Sequence, residues 1–370
     1  MITFSTNNVT LKAKGAMMSA KPAQEYDFEV GVYRPPSEGG SHSLLLRVTR
    51  NCPWNRCEFC AMYKTEKFEL RSPEAVKGDI DAIAAIYDKL KDISWKLGYG
   101  GKITREAAIE LLKSEPDLNY HHGFVMVYNW LQSGAKTAFL QDANSLIMKT
   151  DQFVDILKHL RKTFPSLNRV TSYARSKTIA QKKLQELKSI REAGLDRLHV
   201  GLESGDDDLL KKIKKGVTSD GHIKGGKKAM EAGFQLSEYW MPGLGGKEMW
   251  ENHASNTARV LSEINPHYIR SRPLFAQPGT PIYERQVCGD FQPLSPDEQL
   301  TELKLMVEGL DVTSKVCFDH AGNYWRNERG GLLFTHSYEG YKFPEEKQRV
   351  LNLIDEGLQA GNSVPEFLYL

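Results

Sequence analysis

Short β-type runs alternate with amphipathic helical stretches along most of this chain, and that order leaves few folds open. The runs are Ser43 to Thr49, Thr137 to Gln141, Arg169 to Ala174, Arg197 to Leu202, Gln235 to Met241 and Tyr268 to Phe275. After the first run, Ser72-Pro73-Glu74 starts a helix with apolar residues at Val76, Ile80, Ile83, Ile86 and Leu90. Further helical stretches fall at about Thr150 to Phe164, Thr178 to Ala193, Ser219 to Ala232 and Glu248 to Ile264. Strict alternation implies an α/β fold in which a parallel sheet, open or curled, is joined by right-handed crossovers.

Three segments fall outside the alternation. Residues 1–42, with Pro35-Pro36 and Gly39-Gly40, read as an N-terminal arm. Residues 95–133 read as a helical insertion, and residues 286–370 as a C-terminal extension with one more helix near Pro293 to Leu310 and a Gly- and aromatic-rich tail that caps the sheet. The main unit is then 43–285. Lys plus Arg number 49 against 47 Asp plus Glu, a net charge of +2, so no global field recruits nucleic acid or an anionic membrane. Five cysteines, three of them clustered, suggest a reducing compartment, and no apolar run is long enough to span a bilayer. The expectation is a cytoplasmic protein.

The clustered cysteines follow the first β-type run as Cys52-Pro53-Trp54-Asn55-Arg56-Cys57-Glu58-Phe59-Cys60. Three soft donors on one loop can hold a metal. A closed zinc site would need a distant fourth ligand, whereas a four-iron cluster held by three thiolates leaves one iron open to a small chelating ligand.

The loop resembles the cluster-binding loop of the radical S-adenosylmethionine (radical SAM) superfamily, in which three cysteines follow the first strand of a partial β/α barrel and an aromatic residue precedes the last. Phe59 fills that aromatic position. The commonest family spacing is three residues and then two, and here it is four and two. Downstream, Asp142-Ala143-Asn144 stands where the family has the turn that holds the methionine amine. Ser172-Tyr173-Ala174-Arg175 and Leu198 to Gly205 are similar to strand ends of the branch with anaerobic coproporphyrinogen dehydrogenases and elongator-type enzymes. Met241 to Gly246 and Gln277 to Pro281 resemble the next two strand ends.

The resemblance implies a partial (β/α)6 barrel with [4Fe-4S] and SAM as cofactors. Cys52, Cys57 and Cys60 would be the metal ligands. Phe59, Asp142, Ala143, Asn144, Tyr173, Arg175, Glu203, Lys215 and Met241 would bind SAM, with Glu203 toward the ribose and Lys215 toward the methionine carboxylate. It also implies an electron donor such as flavodoxin or ferredoxin. SAM cleavage to a 5′-deoxyadenosyl radical would begin hydrogen abstraction from a small or medium-sized substrate lying under the insertion and the tail. An RNA-modifying enzyme and a zinc-stabilised binding module are the alternatives.

Other residues have plainer readings. Cys288 and Cys317 read as ordinary buried thiols, and His199 either as a hydrogen-bonded core residue or as a substrate contact. Arg175, Arg270 and Arg272 lie at strand ends and could clamp an anion or pair with nearby acids. Lys211, Lys212 and Lys214, just after three aspartates, read as a solvated helix face, with Lys215 the exception.

Overall fold

The structure, a computed structural model, describes residues 26–31, 42–121 and 123–361. Most of the expected N-terminal arm, and residues 362–370 of the tail, lie outside them. In chain order the elements are β1 (Ser43–Arg47), β2 (Thr49–Arg50), β3 (Glu69–Leu70), α1 (Pro73–Lys96), α2 (Arg105–Ser114), α3 (Phe124–Gln132), β4 (Thr137–Gln141), α4 (Thr150–Thr163) and β5 (Arg169–Ala174). They continue with α5 (Ser176–Gln181), α6 (Leu184–Glu192), β6 (Arg197–Glu203), α7 (Asp207–Lys212), α8 (Ser219–Glu231), β7 (Gln235–Trp240) and α9 (Gly246–Ile264). The last are β8 (Tyr268–Ser271), α10 (Pro281–Cys288), α11 (Pro296–Gly309), β9 (Lys315–Cys317), β10 (Tyr341–Lys342) and α12 (Lys347–Ala360).

The six β-type runs become neighbouring parallel strands in the order β1-β4-β5-β6-β7-β8. This is the mixed α/β sheet of a partial barrel. The C-terminal extension adds β9 parallel to β8, then β10 antiparallel to β9, a continuation of the sheet that its short, Gly-rich sequence does not announce. The helical stretch at 178–193 divides into α5 and α6.

Strand alternation sorts the side chains into two faces. Leu44, Leu46, Leu140, Leu198, Val200 and Leu236 are fully buried on the face toward the helices, where the Trp240 ring lies 5.9 Å from that of His253 on α9. On the other face Phe139, Tyr173, His199 and Tyr239 pack ring to ring. The first face is an ordinary hydrophobic core. The second is aromatic and polar, and is the barrel interior.

Within the insertion, α3 lies along the free edge of β1, where the Leu45 N–H donates to the Met126 sulfur at 3.3 Å. An edge strand needs covering, and the apolar face of α3 supplies it. Of the two readings of Arg270, the pairing with an acid holds: it is buried, pairs with Asp319 at 2.8 Å and donates to the Ser237 hydroxyl. Cys288 is exposed rather than buried, because it closes α10 just before the left-handed Gly289.

Gly205, in the turn after β6, is pressed against α9. A Cβ there would lie 2.2 Å from the Asn256 carbonyl oxygen. Gly205→Ala is expected to destabilise the protein by about 1–3 kcal/mol through overpacking, read as a lower urea midpoint with an unchanged slope.

Candidate functional site

The cysteine loop lies above the C-terminal ends of β1 and β4. Its entry is set by Asp142, whose buried carboxylate accepts from Arg47 Nε at 2.9 Å and from the Asn51 N–H at 3.0 Å. The next residue but one in that turn, Asn144, accepts from the Arg175 N–H at 3.2 Å and donates to the Thr178 hydroxyl at 2.9 Å. Both side chains are thus committed to holding loops, and Ala143 between them is half-buried.

The middle of the loop is tied to the turn after α7. The Glu58 N–H donates to the Ile213 carbonyl at 2.9 Å, and its carboxylate pairs with Lys214 at 2.9 Å and Arg285 at 3.0 Å. Trp54 reaches over the same turn, where its indole N–H donates to the Lys214 carbonyl at 2.7 Å. The ring packs so closely on Gly216 that a Cβ there would lie 2.2 Å from it, and Arg175 and Arg56 sit 5.0 and 5.3 Å from its centroid. The loop's other end is fixed by packing, since Phe59 enters a small apolar cluster with Ile213, Met241, Leu244 and Ile282.

These ties bring Lys215 to the cysteines. Its ammonium pairs with Glu203 at 2.9 Å, both side chains are nearly buried, and it lies 5.9 Å from the centre of the Phe59 ring. Arg175 donates to the Lys215 carbonyl at 2.8 Å. Glu203 ends β6 with φ of 66°, a left-handed conformation unusual for glutamate, and a Cβ on Gly201 would meet its carboxylate at 2.2 Å. Met241 follows from β7, its N–H donating to the Glu203 carbonyl at 3.0 Å. Phe59, Arg175, Glu203, Lys215 and Met241 therefore meet in one place. Tyr173 lies deeper, in the aromatic layer.

Cys52, Cys57 and Cys60 are unbridged and partly exposed. Burial pushes the Cys57 and Cys60 thiols up, while the field of Lys215 and Arg175 pulls Cys57 back toward ionisation. Among the described residues no three His, Cys, Asp or Glu side chains converge on the position of a single metal ion. A four-iron cluster does not ask for that: each thiolate holds a different iron, so the sulfurs are spaced around it. Three soft donors on one loop, facing polar groups on the barrel side, fit such a cluster.

Inside the barrel His199 accepts or donates through Nδ1 to the Tyr239 hydroxyl at 2.7 Å, the bonded core role. At the mouth Arg272 is exposed, and burial followed by the charge of Arg272 lowers His320 to about 4. The sequence gives no sign of two further residues. Glu58, between two cysteines, reads only as loop, and Glu302 reads as one more acid on α11. Glu302 is fully buried, and its carboxylate holds the Gly243 N–H at 2.5 Å, fixing the turn that follows Met241.

Residues 46–254 match the family described as Radical SAM superfamily. The heme chaperone HemW of Bacillus subtilis (strain 168) is 26% identical over 226 residues, covering 56% of this chain and 59% of that protein. The tRNA uridine(34) acetyltransferase of Methanocaldococcus infernus is 25% identical over 122 residues, 31% of this chain and 22% of that one. The chain thus spans less than two thirds of the first relative and less than a quarter of the second. Both lie in the branch to which the strand-end motifs pointed. Among solved structures, the radical S-adenosylmethionine methyltransferase TsrM from Kitasatospora setae aligns over 86% of this chain and 61% of its own, at TM-score 0.49 and 13% identity.

Burial raises the Glu302 carboxyl to about 8. The folded chain keeps this proton over a range in which an unfolded glutamate has lost it, so the group makes stability fall as pH rises from about 4.5 to about 8. Glu302→Gln keeps an acceptor for Gly243 and removes the titration. Its stability relative to the parent is expected to grow across that window by a few kcal/mol in order of magnitude. Urea unfolding of the metal-free proteins at stepped pH checks this, and the buried Glu238, also raised, is common to both.

Proposed function

The chain belongs to the radical SAM superfamily, whose cofactors are a [4Fe-4S] cluster and SAM, and from that premise we propose that it is an enzyme that reductively cleaves SAM. When bound, the cluster supplies the electron that splits SAM into methionine and a 5′-deoxyadenosyl radical, which takes a hydrogen atom from a small or medium-sized substrate. The observation that carries the reading is the nearly buried Lys215–Glu203 pair placed beside the cysteine loop, within the field that acts on Cys57.

On this reading Cys52, Cys57 and Cys60 each hold an iron. Lys215 meets the methionine carboxylate, Glu203 the ribose hydroxyls, and the backbone of Asp142-Ala143-Asn144 the amine. Asp142 and Asn144 act through position, since their side chains are already used. Phe59 and Met241 supply apolar walls that exclude water. Trp54 keeps Lys215 in register with the thiols. Arg272, exposed at the lip with His320 beside it, favours a substrate with an acidic group.

The match to a tRNA-modifying enzyme supports a second reading, an RNA substrate, which salt-sensitive retention of tRNA would favour. A zinc module finds less support, because the three cysteines do not converge and no fourth ligand joins them among the described residues.

Anaerobic reconstitution is expected to load about four irons per chain. Dithionite and SAM should then yield 5′-deoxyadenosine, with cluster and product both lost in Cys57→Ala. Lys215→Ala and Trp54→Ala are expected to keep the iron and to weaken SAM binding, about tenfold or more for the lysine, as fits loss of one charge-assisted hydrogen bond. An iron-loaded protein that neither binds nor cleaves SAM would sink the proposal.

A further inference from the structure

The segment that follows β9 is tied to the end of β8 at two successive residues. Arg270 pairs with Asp319 at 2.8 Å. The Ser271 hydroxyl donates to Asn323 Oδ1 at 2.7 Å, and the Asn323 amide donates back to the Ser271 carbonyl at 3.0 Å. Asn323 is buried, and its backbone N–H and side-chain amide both donate to the His320 carbonyl, at 2.9 and 3.1 Å. A Cβ on Gly322 would lie 3.4 Å from Pro273, so this turn sits directly against the chain around Arg272. His320 is thereby fixed beside Arg272.

Each of the two side chains keeps an unused donor. The Arg272 backbone is held by its N–H, which donates to the Trp240 carbonyl at 3.0 Å, but its guanidinium is exposed and no described residue pairs with it. His320 is half-buried, and its Nδ1 accepts from the Gly322 N–H at 3.0 Å. In a neutral imidazole an accepting Nδ1 leaves the one ring proton on Nε2, and burial with the Arg272 charge keeps this ring neutral. That Nε2–H has no partner among the described residues. An arginine that is only solvated at a rim needs none of this setting. The Arg272 charge also acts on Cys60, so the guanidinium stands between the cysteine loop and the C-terminal extension, across the barrel mouth.

We propose that Arg272 and His320 form a two-point anchor for a carboxylate group of the substrate, an inference that deepens the proposed function and rests on it. The guanidinium meets one carboxylate oxygen and the His320 Nε2–H the other. One cation and one neutral donor match a planar monoanion with two oxygens. A phosphate monoester brings a second negative charge that this pair leaves uncompensated. The C-terminal extension, which sets His320 in place, is thus the element that selects the substrate, while Lys215 and Glu203 serve SAM on the other side of the mouth.

The test follows the fluorine resonance of para-fluorobenzoate titrated into anaerobically prepared, cluster-loaded protein, with SAM in excess so that the SAM carboxylate and not the probe meets Lys215. The aromatic layer of the interior suits a probe with a ring. The parent is expected to bind this probe and not para-fluorobenzamide, and acetate should displace it better than phenyl phosphate or dimethyl phosphate does. Arg272→Ala is expected to weaken binding about tenfold or more, and His320→Ala about threefold to tenfold, as fits loss of a charge-assisted and of a neutral donor. His320→Gln, which keeps an N–H near the place of Nε2, should recover most of the second loss. Arg349→Ala, which removes an exposed cation on α12, should change nothing. No binding by the parent, equal binding of the amide, equal displacement by either phosphate, or unaltered binding in Arg272→Ala overturns the proposal. Binding is read without SAM cleavage. An Arg272-dependent carboxylate site in a protein that never cleaves SAM would count against the enzymatic reading and leave the anchor standing, whereas cleavage without carboxylate binding overturns the anchor alone.

Discussion

The hydrogen bond from the Trp54 indole to the Lys214 carbonyl is the contact on which the candidate site depends. It joins two loops whose residues stand 160 positions apart, the cysteine loop and the turn after α7. Either loop alone is a short excursion above the sheet with several conformations open to it. Glu58 adds a backbone bond and two ion pairs to the same turn, and Arg175 is held between the Trp54 ring and the Lys215 carbonyl. The four-residue gap between Cys52 and Cys57 gains a physical account from this. Its extra residue belongs to the segment that carries Trp54 out over Gly216, and only glycine leaves room for the ring there.

The sheet beneath supplies rigidity in two different ways. Toward the helices it presents Leu, Val and Ile side chains that are fully buried, and burial of this kind stabilises each by about 1.5–3 kcal/mol relative to exposure. Toward the interior it presents Phe139, Tyr173, His199 and Tyr239 in edge-on and tilted contacts, above the Arg270–Asp319 pair. The pair closes the side of the barrel formed by β8 and β9, and breaking it would leave a buried charge uncompensated. The interior is thus polar enough to receive a ligand and too well bonded to rearrange around one.

Most of this architecture was legible in the chain, because its signals are local. Period-two runs gave strands such as Thr137–Gln141 and Arg169–Ala174 to the residue, and a proline-led amphipathic stretch gave α1. What escaped was set by distance. β9 and β10 are too short to carry a pattern and exist through their neighbours. For Arg270 pairing with an acid was one open reading, but its partner Asp319 stands 49 residues on and carries no local sign of it. Likewise the cysteines, Glu203 and Lys215 stand out by motif. Glu302 does not, since an acid on an amphipathic helix has no signature for pointing inward at a glycine N–H 59 residues away.

The Lys215–Glu203 pair sharpens what can occupy the site. Both groups are nearly withdrawn from water, so each depends on the other for compensation. A ligand that displaced only the carboxylate would strand the ammonium, and one that displaced only the ammonium would strand the carboxylate. Either outcome costs several kcal/mol. A ligand is accepted without that cost when it brings an anion to Lys215 and hydrogen-bond donors to Glu203 together. On the proposed reading the methionine carboxylate and ribose hydroxyls of SAM are such a set. The ion pair then acts as a placeholder that excludes ligands carrying one half of it, and Trp54 and Arg175, by fixing the Lys215 backbone, hold the separation between the two halves.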